Sequence, residues 1–290
     1  LHIGVTDLGH ADRSALLGAV DLATRAAQAK AQRAWHRSAP SAADGELPQG
    51  AQAWRGVIQQ ALQQGQLKLG SAAVVDSRSG QLLHHELLAQ LAPPGRAPIL
   101  ASAFMPMVER LRLAPLVDSA LLEQALQRLA GADGSIRYAI NLSPQSLHDP
   151  VFTEWLAQRL QQLGARAQRI ILEIPAIVLH QADLLRAFMQ RLEATGVGFA
   201  IDRVSAPLPQ PEAWPGLALA YIKLDAAYVM SLEGEVNILV HLDALRDFAR
   251  GLGIPLIATG IANPALRDLA IKVGVDGLQG EVIDARQAAP

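Results

Sequence analysis

The feature that most constrains this chain is a recurrent way of ending a strand. "QLLHHELL", "RYAINLS", "RIILEIPA", "GFAIDRV" and "LAYIKLD" are short and largely apolar. Each carries near its end a side chain that is expensive to bury: Glu86, Asn141, Glu173, Asp202 and Lys223. Buried charges have to be paired or ligated, so these endings, arriving in chain order, are expected to converge on one site. "QLKLGSAAVVD", "IPLIATGI" and "VDGLQGEVI" complete a set of eight strand candidates, most of them separated by helical stretches.

Eight strands with intervening helices predict an α/β fold, a TIM-like (β/α)8 barrel whose strand C-termini form the active face. An open doubly wound sheet is the structural alternative, and no glycine-rich phosphate loop follows the first strand to favour it. Two helix starts are marked, at Ser143-Pro144 and Asn263-Pro264, each a capping side chain followed by proline at the first helical position. Residues 1–37 read as a strand, a turn and a helix, an N-terminal extension too small to close a core alone. Residues 38–50, "SAPSAADGELPQG", have a linker composition. The barrel domain is then expected over 51–287.

Composition removes several function classes. The chain has 290 residues, a formal net charge of -2 and no cysteine. Duplex nucleic acid needs clustered Lys and Arg, which are missing, and thiolate and disulfide chemistry are excluded. No apolar run reaches the length of a membrane span, so no membrane contact is expected from these residues. The opening "LHIGV" has no signal-peptide pattern, and a cytoplasmic piece of a longer protein is the expectation. Glu86, Asn141, Glu173 and Asp202 form a hard oxygen set of the kind that holds Mg²⁺ or Mn²⁺. His84 and His85 beside Glu86 invite a zinc reading, but strand alternation puts His85 on the face opposite His84 and Glu86.

These motifs resemble those of the EAL domains of cyclic-di-GMP phosphodiesterases. Glu86-Leu87-Leu88 stands where the family has Glu-Ala-Leu, "INLS" is similar to its Asn-Leu-Ser segment, "LEIPA" to Leu-Glu-Ile-Thr-Glu, and "FAIDRVS" to Asp-Asp-Phe-Gly. "YIKLD" resembles Lys-Ile-Asp, "PLIATGIAN" stands in place of Ala-Glu-Gly-Val-Glu, and "GLQGEVI" resembles the closing Gln-Gly segment. Residues 1–37 resemble the end of a GGDEF domain. The resemblance implies an EAL-type barrel, cyclic-di-GMP as ligand, and two metal ions that activate water against a phosphodiester.

The departures imply a lost activity. Arg203 replaces the second aspartate of Asp-Asp, Thr259 and Ala262 replace the two glutamates of Ala-Glu-Gly-Val-Glu, and Ala176 replaces the glutamate of Ile-Thr-Glu. Gln90 replaces an arginine, and Ala72 a glutamine that approaches the ligand. The pattern is similar to the degenerate EAL domains of LapD-type GGDEF–EAL receptors, which sense cyclic-di-GMP without cleaving it. The ligand set carried over is Glu86, Gln90, Asn141, Asp202, Arg203, Lys223 and Gln279. Arg203 is expected to supply the positive charge that a metal supplies in active relatives, and Lys223 to balance phosphate or pair with Asp202. No cofactor is required on this reading, with Mg²⁺ or Mn²⁺ at a residual site of Glu86, Asn141, Glu173 and Asp202 as the variant. Partners are the nucleotide, other domains of the same protein, and a second copy in a homodimer. The alternatives are a protein-interaction module that no longer binds nucleotide, and a residual phosphodiesterase using one metal.

Overall fold

The structure, a computed structural model, describes residues 2–6, 34–38, 47, 48, 50–95, 97–132, 134–205, 208, 210–230 and 236–287. It divides into two units, residues 1–64 and residues 65–290. In the first, strand β1 (His2–Thr6) pairs in parallel with β2 (Ala34–Ser38), His2 opposite Ala34 and Thr6 opposite Ser38. This corrects the helical reading of residues 34–37: Trp35, His36 and Ser38 are weak helix formers, and this segment joins a ladder instead. The remainder of the expected helix lies outside the described residues. Helix α1 (Gly50–Gln64) begins one residue inside the expected linker and buries Trp54, Ile58 and Ala61, an i, i+4, i+7 stripe.

The second unit is a closed eight-stranded barrel. Its strands are β3 (Leu67–Asp76), β4 (Leu82–Leu91), β6 (Tyr138–Asn141), β7 (Ile170–Pro175), β8 (Gly198–Val204), β9 (Tyr221–Leu224), β10 (Leu256–Ala258) and β11 (Gly277–Leu278), with the two-residue β5 (Ile99–Leu100) appended to β4. Helices α2 (Ala101–Arg110), α3 (Ala114–Gly131), α4 (Pro144–Leu147), α5 (Pro150–Leu163), α6 (Ala182–Leu192), α7 (Ala226–Met230), α8 (Val236–Gly251), α9 (Pro264–Lys272) and α10 (Glu281–Gln287) fill the connections. All eight strand candidates are present. From β4 round to β11 neighbours run parallel, but β3 is antiparallel to both β4 and β11.

The reversal follows from the length of the β3–β4 connection. Residues 77–81 are too few for a crossover, which takes a dozen or more, so the strands must form a hairpin. Asp76 builds the turn by accepting the Arg78 and Ser79 backbone N–H groups and the Ser79 hydroxyl. The β8–β9 connection also lacks a crossover helix among its described residues. The Arg186 guanidinium on α6 holds it by donating to the carbonyls of Ala213 and Pro215.

Inside the barrel, Val74, Ala139, Ile171, Ala200, Tyr221 and Ile257 form one packed layer, a residue from each of six strands. Two residues further along five of those strands stand Asn141, Glu173, Asp202, Lys223 and Thr259. Because side chains alternate across a strand, these positions face inward, one layer nearer the mouth. The layer of apolar side chains is thus the floor on which the polar residues stand.

The expected proline-led helix starts are both present, with different chemistry. Asn263 caps α9, its side chain accepting the Leu266 N–H at 2.8 Å. Ser143 occupies the same position before α4 but makes no side-chain capping bond, because its hydroxyl turns to Asp118.

The turn after β11 has no room for a side chain. Gly280 has φ of +152°, and a Cβ there would lie 2.3 Å from the Ile261 nitrogen. Gly280→Ala is expected to destabilise the barrel by at least about 1–3 kcal/mol, the range for a strained backbone position, measured by urea unfolding. Unchanged stability would show that the β10 and β11 ends can separate freely.

Candidate functional site

The mouth is organised around one buried ammonium. Lys223, at 3% exposure, donates from Nζ to Glu86 Oε2 at 2.6 Å and to Glu173 Oε1 and Oε2 at 2.9 and 3.0 Å. Glu86 also accepts from Asn141 Nδ2 at 2.6 Å, and from Gln279 Nε2 at 2.5 Å. Glu173 accepts the Tyr221 hydroxyl at 2.7 Å. Lys223 therefore pairs with the two glutamates and not, as the sequence reading allowed, with Asp202. Alternation turns all three carboxylates inward, but it is Glu86 and Glu173 that the ammonium reaches, while Asp202 lies at a distorted strand end.

That distortion answers to Arg203. The β8–β9 register shifts between Ile201 and Val204, and Arg203 takes φ of 58°, a left-handed conformation that a residue with a Cβ adopts at a cost. The bulge keeps Asp202 turned inward at 8% exposure and throws the Arg203 side chain outward. Its Nε lies 3.7 Å from Asp202 Oδ2, with the guanidinium largely in solvent.

Burial and charge set the protonation of this layer. Burial alone would raise the Glu86 carboxyl, but the Lys223 charge and the bonds from Lys223, Gln279 and Asn141 outweigh it and hold it down at about 2. Glu173, fully buried, is pushed up by that burial and by Glu86 and Asp202, against the pull of Lys223. Burial likewise raises Asp202, opposed by Lys223 and by Arg203. Burial opposes the Lys223 charge, but three carboxylates more than reverse it, so the ammonium stays protonated. His84 stacks on Tyr221 at 4.9 Å between ring centres, and burial with the nearby ammonium lowers its pKa to about 3, so it is neutral.

The remaining candidates fall around this core. Ala72 lies directly opposite Glu86 in the β3–β4 ladder. Gln90 is on the same strand face as Glu86, four residues nearer the rim, with its amide over Gly70, where an added Cβ would meet Nε2 at 2.9 Å. Thr259 does not join the network: its hydroxyl donates to the Leu224 carbonyl at 2.7 Å. Ala262 is exposed beyond β10, and Ala176 is buried beyond β7. His85 leans towards Tyr138 rather than towards His84's partners, as the alternation requires. Tyr221 and Asp118 escaped the sequence reading. A tyrosine two residues before Lys223 on the same strand face was the available signal for the first.

A metal fits this arrangement poorly. Both oxygens of Glu86 and of Glu173 already accept protein donors, and among the described residues no group of three or more His, Cys, Asp or Glu side chains could hold a metal ion. The expected residual set of Glu86, Asn141, Glu173 and Asp202 is present, but Glu86 and Glu173 close on Lys223, Asn141 on Glu86, and Asp202 faces Arg203, rather than all four meeting at a common open point.

Comparison with known proteins places the chain. The family described as the EAL domain matches residues 55–286. The bifunctional diguanylate cyclase/cyclic di-GMP phosphodiesterase MucR of Pseudomonas aeruginosa is 22% identical over 228 residues, 77% of this chain and 33% of MucR. The chain thus spans about a third of the length of the curated relatives it matches. Among solved structures, the S helix–GGDEF–EAL portion of Vibrio cholerae LapD bound to c-di-GMP superposes with a TM-score of 0.85 at 20% identity, covering 97% of this chain and 68% of that one. The PaMucR phosphodiesterase in its c-di-GMP complex gives 0.71 at 21% identity, covering 81% and 99%. No helix among the described residues is long and apolar enough to cross a membrane.

Replacing the ammonium tests its place at the centre. Lys223→Met leaves two buried carboxylates without their counter-charge and is expected to cost about 3–5 kcal/mol near neutral pH. In the wild type the Glu86 carboxyl lies below its ordinary value, so its contribution is full above that ordinary value and is lost only as pH falls towards 2. In the variant, burial is opposed at Glu86 only by the Asn141 and Gln279 bonds and raises both carboxyls above their wild-type positions, so stability should recover as pH falls from 8 to 5. Urea unfolding at both pH values checks this, and a deficit that does not change with pH would refute it.

Proposed function

The chain belongs to the EAL domain family, and we propose that it is a member that holds cyclic-di-GMP without cleaving it, within a longer GGDEF–EAL protein. The observation that carries this reading is the commitment of the mouth's carboxylates to protein donors. Two-metal hydrolysis of a phosphodiester needs carboxylates that clamp cations against the attacking and leaving oxygens. Here Glu86 and Glu173 accept from Lys223, Asn141, Gln279 and Tyr221, and the cation beside Asp202 is a guanidinium. Thr259, where the family has a glutamate, offers a hydroxyl already donated to a backbone carbonyl. On this reading the mouth does not activate water, and its exposed guanidinium suits an anionic ligand.

The roles divide by burial. Arg203 is the phosphate contact, since its guanidinium is exposed at the rim and can take two oxygens at once. Lys223 acts from below, cancelling carboxylate charge that would repel the ligand. Gln90, Asn141 and Gln279 supply polar edges, and no metal is required. The capture of c-di-GMP by the solved LapD and MucR relatives supports this ligand. Strands β1 and β2 are assigned to the end of a preceding GGDEF-like domain, the barrel domain beginning with α1, and the whole to the cytoplasm. Other domains of the same protein are the partners that read the ligand.

Calorimetric titration with cyclic-di-GMP, in Mg²⁺ and again in chelator, tests the reading. Binding is expected in both, without linear dinucleotide appearing. Arg203→Ala should weaken it by roughly 1.5–3 kcal/mol, the range for a hydrogen bond to a charged group. Linear product that scales with protein and disappears in Glu86→Ala would establish hydrolysis instead. Binding abolished by chelator but untouched in Arg203→Ala would return the role to a metal. No binding at high ligand concentration would leave a protein-interaction module.

A further inference from the structure

Beside the end of β6 lies a buried carboxylate that the Lys223 network does not employ. Asp118, on α3, is 2% exposed. Its Oδ2 accepts the Ser143 backbone N–H at 2.8 Å and the Ser146 hydroxyl at 2.6 Å, and its Oδ1 accepts the Ser143 hydroxyl at 3.3 Å. Ser143 and Ser146 are themselves buried. Burial pushes the Asp118 carboxyl up to about 6 in spite of these three bonds, and Glu109 adds to the rise. A lone carboxylate kept in so unfavourable a place points to a geometric duty.

The duty is visible in the residues that precede Ser143. Asn141 ends β6 and gives its amide to Glu86. Leu142 donates its backbone N–H to the Glu173 carbonyl at 2.9 Å. One residue later the chain meets Asp118, and α4 begins. The three-residue run Asn141–Ser143 is therefore pinned by β7 on one side and by α3 on the other. The Ser143 hydroxyl, which could have capped α4, is drawn to Asp118 instead.

We infer that Asp118 is a positioning residue for the mouth: by clamping Ser143 and Ser146 it fixes the backbone from which Asn141 reaches Glu86. The inference concerns the mouth proposed to hold nucleotide, but it is read out on the protein alone. Failure of nucleotide binding would leave it standing, and its own failure would leave nucleotide binding standing.

The chain has three asparagines, Asn141, Asn237 and Asn263, so ¹⁵N-asparagine labelling gives few side-chain amide signals. Asn141→Ser identifies the signal of Asn141, and Asn263, the cap of α9, serves as internal control. Asp118→Leu is expected to shift the Asn141 amide and to speed its exchange with water by about tenfold or more, as local opening becomes easier, while Asn263 does not move. Asp118→Asn should restore the wild-type signal. Its oxygen can take the two donors now on Oδ2, and its amide can donate to Ser143, whose hydroxyl then accepts. If Asp118→Leu does not fold, the double variant Ser143→Ala with Ser146→Ala should loosen Asn141 in the same sense. An Asn141 amide unmoved in the folded variants overturns the inference. So does an Asp118→Asn signal displaced as far as that of Asp118→Leu, since the effect would then belong to charge and not to the clamp.

Discussion

The structure depends on one ammonium placed where three carboxylates meet. Taken from water, Glu86, Glu173 and Asp202 would each be costly, and together they would repel. Lys223 converts that layer into a closed arrangement in which Glu86 and Glu173 share its protons, Asn141 donates to the remaining Glu86 oxygen, and Gln279 and Tyr221 add second donors to oxygens that Lys223 already meets. A buried ion pair is weak evidence of stability in itself, because desolvation offsets much of the attraction. Its value here is in specification. The donors come from β6, β9 and the residue that follows β11, so the network closes only when those strands stand in the right register.

That register was largely legible in the chain, for a physical reason. Strand periodicity is two, so an apolar residue followed two places later by a polar one marks a wall passing from the barrel floor to its mouth. Ala139 and Asn141, Ile171 and Glu173, Ala200 and Asp202, Tyr221 and Lys223 all follow this rule. The partners within the layer were less legible. Lys223 was open to Asp202 by proximity in chain order, and only the curvature of the closed barrel assigns it to Glu86 and Glu173. Asp118 was hidden because it sits within the apolar stripe of α3, between Val117 and Leu121. A carboxylate there is the signal, but nothing local says what it clamps. The antiparallel hairpin could have been counted from residues 77–81, since the segment is too short for any crossover.

Arg203 shows how a side chain and a backbone irregularity act together. In a regular strand, the residue after an inward-facing Asp202 would point into the surrounding helices, where a guanidinium has no place. The bulge lets the chain turn at Arg203 and release the side chain to the rim, at the cost of a left-handed backbone. The barrel thereby keeps its buried carboxylate and holds an exposed cation beside it at the rim.

The reversed first strand gives the barrel an unusual point of attachment. Leu67 pairs with Leu91, at the rim where β4 ends, and Asp76 lies at the opposite end beside Gly277. The polypeptide therefore enters this unit on the same rim that carries Gln90 and Arg203, and by way of Gln279 it also leaves the last strand there. With eight parallel strands it would have entered through the floor. The first residues to enter, Leu67 to Gly70, run beside Leu88 to Leu91, so the way in and the Gln90 amide share one stretch of ladder. The opposite end is closed by the Asp76 turn, so the hairpin is tied at the floor and open at the mouth.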